Sequence, residues 1–115
     1  MAGWIGVDFD GTLAKYPPEP GKQLGDPVPL MLERVKRMLA EGREVRILTA
    51  RVGMADLQGE EMIAEQVRLI SEWCQHYLGT VLRVTAEKDY FMVECYDDRA
   101  IQIIPNTGRR ADGGN

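Results

Sequence analysis

Short apolar runs and amphipathic stretches alternate along almost the whole chain, and no other feature limits the fold as much. Residues 4–8, 45–49, 81–84 and 92–96 read as strands, with residues 101–104 as a fifth. Between the first two, Val28, Met31, Leu32, Val35, Met38 and Leu39 recur at helical spacing, with Glu33, Arg34, Lys36 and Arg37 mostly outside. Asp26-Pro27 reads as an N-cap followed by proline at the first helical position, and Gly42 ends the helix. A second helix is expected over residues 60–78, where Ile63, Val67, Ile70, Cys74 and Tyr77 share a face, Glu60 and Glu61 suit the N-terminal dipole and Gly79 closes the end. Strands separated by helices pair in parallel, because a parallel connection is long enough to hold one. The expected architecture is a single-domain, three-layer α/β fold with a mostly parallel sheet and helices on both faces.

The chain has 115 residues, which leaves no room for a second domain of useful size. Its formal net charge of −4 disfavours a broad electrostatic nucleic-acid surface, although a small basic site remains open. No apolar stretch is long enough to span a bilayer, so no membrane association is expected, and no signal-peptide start is expected either, since Gly3 and Gly6 interrupt a short strand with no basic flank. Cys74 and Cys95 lack metal-type spacing and read as buried free thiols of a reducing compartment, which points to the cytoplasm. The single histidine, His76, reads as a packing or surface residue, and one imidazole cannot build a zinc site. Trp73 and Tyr77 read as helix packing. A loop rich in Pro and Gly over residues 11–25 is long enough to form a flap, and residues 109–115 read as a disordered tail after a core of residues 1–108.

In a parallel sheet, ligands bind just beyond the carboxyl ends of the strands. The polar residues able to do chemistry fall there: Asp8 and Asp10, Thr49 and Arg51, Lys88, Asp97 and Asp98. Two aspartates one residue apart at the mouth of a buried strand repel each other. That cost becomes tolerable when a cation sits between them or one carboxyl stays protonated. Both conditions hold if one carboxylate attacks phosphorus, its neighbour shuttles a proton and magnesium bridges protein and phosphate. The plain alternatives are a strand ending in an Asp-Gly turn, a β-branched Thr49, a solvated Lys88 and a second turn at Asp97-Asp98.

The order of these residues resembles the haloacid dehalogenase-like phosphohydrolase superfamily over nearly the whole chain. Its four motifs match Asp8-Phe9-Asp10-Gly11-Thr12, Leu48-Thr49-Ala50-Arg51, Lys88 and Asp97-Asp98. The resemblance implies a Rossmann-like fold and an aspartyl-phosphate intermediate on Asp8, with Asp10 as the acid and then the base. It also implies that Thr49 donates to a phosphoryl oxygen and that Lys88 holds Asp8 and the phosphate. Arg83 is the substitute if Lys88 points elsewhere, because Asp89 follows Lys88 where the family often has proline. A magnesium site would be built from Asp8, the Asp10 carbonyl, Asp97 and Asp98. Thr12 braces the loop that positions Asp10. Four carboxylates against Lys88, Arg51 and a divalent cation balance; without the cation each like-charge pair at about 4 Å costs around 4 kcal/mol at an effective dielectric near 20.

A receiver domain uses similar residues, but its acidic pair follows the first strand, whereas here the pair comes last. Dehalogenation needs no metal site, so the retained Asp97-Asp98 disfavours it. A phosphatase-like module that binds magnesium and phosphate without turnover, acting through a partner, is the remaining alternative. The intervals from Asp10 to Thr49 and from Arg51 to Lys88 are too short to hold a cap domain. The site should therefore be open, suiting a phosphorylated nucleic-acid end, phosphoprotein or glycan, with a nucleotide or sugar phosphate also open. Otherwise a partner subunit, as in a homo-oligomer, would close it. Thr49-Ala50-Arg51 and Asp97-Asp98-Arg99 resemble elements in the phosphatase domain of polynucleotide kinases, which implies that Arg51 clamps phosphate, in a substrate-binding set with Thr49 and Gly11.

Overall fold

A computed structural model of the chain describes residues 3–115. Four strands, β1 (Trp4–Val7), β2 (Val45–Leu48), β3 (Arg83–Thr85) and β4 (Met92–Tyr96), form one sheet in the order β3-β2-β1-β4. Every pairing is parallel, with Val7 opposite Ile47 on one side and Tyr96 on the other. The helices are α1 (Pro29–Ala40), a short α2 (Ala55–Gln58) and α3 (Glu60–Leu78). This is the single-domain, Rossmann-like α/β fold expected from the alternation.

Ile5, Val7, Val45 and Ile47 point toward α1 and α3, where Met31, Val35, Ile70 and Cys74 complete one buried cluster. The layering differs in one respect from the expectation of helices on both faces. Two crossovers of one hand that step the same way across the sheet put both helices on the same face. The return from β3 to β4, residues 86–91, holds no helix. On that second face the buried Trp4 lies under the Arg46 guanidinium, 4.4 Å from the ring centroid, and its indole N–H donates to Asp89 Oδ1 at 2.8 Å.

Four further boundaries depart from the sequence reading. Strand β3, read at residues 81–84, is Arg83–Thr85. Helix α1 starts at Pro29 with Val28 as N-cap, not at Asp26-Pro27. Residues 26 and 27 belong to the flap instead: the Asp26 carbonyl accepts from Lys15 N at 2.8 Å, and Pro27 bridges Ala14. Residues 101–104 do not form a fifth strand. Ile103 makes one antiparallel bridge to Arg110, and Ala111 N donates to the Gln102 carbonyl at 2.9 Å. Residues 109–111, expected as the start of a disordered tail, are thus the return arm of a turn. Cys95 is exposed on β4, not buried; both cysteines are free, and only Cys74 is buried. Among the described residues, no helix is long and apolar enough to cross a membrane.

The flap is pinned by its own backbone and by α3. Gly25 passes so close to Lys15 that a Cβ would sit 1.9 Å from the Lys15 carbonyl oxygen, so only glycine fits. The Trp73 indole donates to the Gly25 carbonyl at 2.9 Å, and its ring packs edge-on against Phe9 with centroids 4.9 Å apart. Trp73 and Tyr77 are packing residues, as expected, and His76 stacks edge-on against Tyr77.

Candidate active site

Strand pairing continues one residue past the sheet on both sides and sets the site. Asp8 N donates to the Tyr96 carbonyl at 2.9 Å, which places Asp8 beside the Asp97-Asp98 turn. Thr49 N donates to the Thr85 carbonyl at 2.8 Å, which holds Thr49 at the matching end of β2. The first loop then turns sharply, with Leu13 N and Ala14 N both donating to the Phe9 carbonyl. Gly11 takes φ +87° at the tightest point, and a Cβ there would stand 2.7 Å from Asp98 Oδ2. Asp97 Oδ1 accepts from Arg99 N at 2.6 Å and from Ala100 N at 3.2 Å, which fixes the acidic turn.

These elements bring together Asp8, Asp10, Thr49, Arg51 and Asp97 around a cavity of about 350 Å³, with Tyr16, Leu48, Ala50, Ala86 and Arg99 completing its wall. Asp98 lies just behind, in an adjoining cavity with Gly11 and Thr12. The Thr12 hydroxyl stands 3.1 Å from Asp98 Oδ1 and 3.4 Å from Asp8 Oδ2, so it braces the carboxylate pair as well as the loop. Burial raises the Asp8 carboxyl to about 7, aided by its hydrogen bond with Asp98 and by the Asp97 charge. The same hydrogen bond holds Asp98 below the usual carboxylate range, with Thr12 assisting.

Asp8, Asp97 and Asp98 each offer an oxygen within 4.8 Å of the others. Three hard oxygen donors converging at that spacing can hold a magnesium-type cation, which takes carboxylates and water at octahedral positions. The Asp10 carboxylate is not in this group. It faces Arg51 instead, whose Nε donates to Oδ2 at 2.6 Å and whose second terminal nitrogen donates to Oδ1 at 2.9 Å. Only the Asp10 carbonyl, the atom expected from the resemblance, is left for a cation.

Arg51 therefore differs from its expected part as a phosphate clamp: its fork is already occupied. The buried Thr49, 3% exposed, accepts from Arg51 N at 3.2 Å and keeps its own O–H to donate into the cavity. Among the described residues Lys88 makes no ion pair and does not line the cavity. It lies exposed in the return from β3 to β4, and its charge bears on Cys95, the thiol that also feels Asp97 and Asp8. Arg83 does not replace it, because it opens β3 opposite Arg46 and acts on Asp89 at the far end of the sheet. The second cation lining the cavity is Arg99. Sequence reasoning gave Arg99 no role, though its place directly after the acidic pair was the available signal; Tyr16 and Gln66 carried none.

No protein-family model and no curated protein matches this chain. Among solved structures, the chain is similar to a conserved protein coded by a locus of Bacteroides thetaiotaomicron, with a TM-score of 0.55 and 21% identity over 92% of this chain and 84% of that one. At that identity the likeness shows the α/β fold alone.

Proposed function

We propose that the chain is a magnesium-dependent phosphomonoester hydrolase of the haloacid dehalogenase-like type, working through an aspartyl-phosphate on Asp8. The observation that carries this reading is the convergence of three carboxylate oxygens within 4.8 Å at the mouth of β1. They stand beside a cavity that also presents the Thr49 hydroxyl and Arg99. Carboxylates crowd at this cost where a cation and a phosphoryl group are handled.

In this reading an Asp8 oxygen forms a bond to phosphorus as the bond to the leaving oxygen breaks. Asp10 gives that oxygen a proton carried on a lone pair outside the Arg51 fork. It then removes a proton from the water that cleaves the acyl phosphate, releasing inorganic phosphate and restoring Asp8. Thr49 donates to a phosphoryl oxygen and Arg99 offsets its charge. Magnesium held by Asp8, Asp97 and Asp98, with the Asp10 carbonyl, would supply charge neutralisation at the phosphoryl group. The cavity is large enough for a phosphoryl group and the adjoining part of a larger molecule, which suits a phosphorylated nucleic-acid end, a nucleotide or a sugar phosphate.

One observation favours the second reading, a magnesium- and phosphate-binding module without turnover acting through a partner: among the described residues no lysine lines the cavity. Hydrolysis of p-nitrophenyl phosphate by wild type and Asp8→Asn, with magnesium and with chelator, separates the two. Magnesium-dependent turnover lost in the variant is expected. No turnover by wild type under any condition overturns the enzymatic reading.

A further inference from the structure

The geometry points to Arg51 as a positioning residue for Asp10, with Gln66 holding Arg51 in turn. The inference rests on the proposed hydrolase reading and changes the part that Arg51 plays in it. Four of the five guanidinium donors have partners. Two go to the two oxygens of Asp10, one to Gln66 Oε1 at 3.0 Å and one to the Gln23 carbonyl at 3.3 Å. A guanidinium so engaged has little left for a phosphate. Its contacts join three separate pieces of the fold: the loop after β1, the flap and α3.

The pairing is also well shielded, with Arg51 and Asp10 side chains 21% and 22% exposed. A planar fork meeting both carboxylate oxygens fixes the plane of the carboxyl group, which a lysine cannot do. Each oxygen keeps a second lone pair, so Asp10 is oriented without being blocked. Arg51 is itself placed by its backbone, because Thr49 Oγ1 caps the turn Ala50–Val52 by accepting from Arg51 N. The same threonine that faces the cavity thus also sets the arginine that aims Asp10. Gln66, half-buried on α3, has no other side-chain partner among the described residues and serves as the back support.

A positioning residue acts only through the group it positions, and this gives the test. Arg51→Ala, Arg51→Lys, Gln66→Ala and Asp10→Asn, with the double variant Asp10→Asn/Arg51→Ala, are assayed on an alkyl phosphate, whose leaving oxygen needs the Asp10 proton, with inorganic phosphate as competitive inhibitor. A 1 Å misplacement is worth about a hundredfold. Arg51→Ala should therefore lower kcat about 30- to 100-fold while leaving the phosphate inhibition constant within about threefold. Lysine should rescue little, Gln66→Ala should lower kcat by less in the same direction, and Arg51→Ala should cost almost nothing in the Asp10→Asn background. A phosphate clamp gives the opposite pattern: weaker phosphate inhibition by tenfold or more, substantial rescue by lysine, and additive losses. That pattern overturns the inference. The Arg51 Nε–H resonance gives a readout without turnover. It should lie downfield in the wild type, persist on adding phosphate and shift back in Asp10→Asn; a signal that moves with phosphate and ignores Asp10→Asn overturns the inference. Loss of p-nitrophenyl phosphate turnover in the wild type would strike the hydrolase reading, while this resonance still decides the role of Arg51.

Discussion

Replacing Asp8 by Asn should stabilise the protein in the absence of divalent cations while abolishing turnover. Asp8, Asp97 and Asp98 hold oxygens within 4.8 Å of one another. Two like charges at such a separation repel by roughly 3–4 kcal/mol at an effective dielectric of about 20. The Asp8 carboxyl is lifted to about 7, first by burial, then by its hydrogen bond with Asp98 and the Asp97 charge. A rise of that size is worth roughly 4 kcal/mol against the charged form. Two effects shrink the sum: solvent screens the exposed partners, and the shared hydrogen bond favours Asp98 in the opposite sense. About half should survive, so the variant gains ~2 kcal/mol, or about 8 °C in Tm for a domain of this size.

The sign in pH follows from proton binding. The unfolded chain releases the Asp8 proton near pH 4, whereas the folded chain keeps it up to about 7. The contribution of Asp8 to wild-type stability is therefore fullest below about pH 4, falls as pH rises toward 7 and is level beyond. Asn has no such loss. Urea unfolding in chelator across this range should show the two proteins together at low pH and the variant ahead by ~2 kcal/mol near pH 8. Millimolar magnesium should then narrow or reverse the gap by binding the wild type more tightly. A variant less stable than wild type near pH 8, or a gap that ignores pH, would refute the electrostatic account of this cluster.

Asp10→Asn should slow hydrolysis of alkyl phosphates by about 100-fold or more relative to its effect on p-nitrophenyl phosphate, since only the poorer leaving group needs the proton; equal losses on both would remove Asp10 from that role. Arg99→Ala should lower kcat/KM about tenfold or more through loss of a charge-assisted contact, whereas Lys88→Ala should change it by less than about threefold; the reverse ranking in steady-state assays would show that the lysine reaches the site. Trp73→Ala should cost about 3–4 kcal/mol in urea unfolding, because it empties a buried site and frees the Gly25 carbonyl at the base of the flap; a loss under about 1 kcal/mol would show that the flap is held elsewhere.

The elements whose signals are local were legible in the sequence. Helix α3 spans Glu60–Leu78 as read, because an apolar stripe of period 3.6 ends on a left-handed Gly79. Strand β4 likewise matches residue for residue. Where tertiary pairing competes with a local signal, the reading fails. Asp26-Pro27 is a sound helix start, yet its backbone pairs with the flap, and the helix waits for Pro29. Residues 101–104 are apolar enough for a strand but find no neighbour among β1–β4, and β propensity means little without one. The site shows the same division. Asp8, Asp97 and Thr49 were legible because strand ends place them; the Asp10–Arg51 fork was not, since its partners are 41 residues apart and either could have served phosphate. Lys88 follows the right strand but sits on a return too short for a helix, so its position in the order says little about its position in space.

The most direct test of the central claim is to trap the acyl phosphate. Wild-type protein turning over p-nitrophenyl phosphate with magnesium would be quenched, reduced with borohydride, digested and read by mass spectrometry. The account predicts conversion of Asp8 to homoserine, absent from Asp8→Asn and from chelator-treated protein. Turnover with Asp8 unmodified, or with the label on Asp10, Asp97 or Asp98, would contradict it.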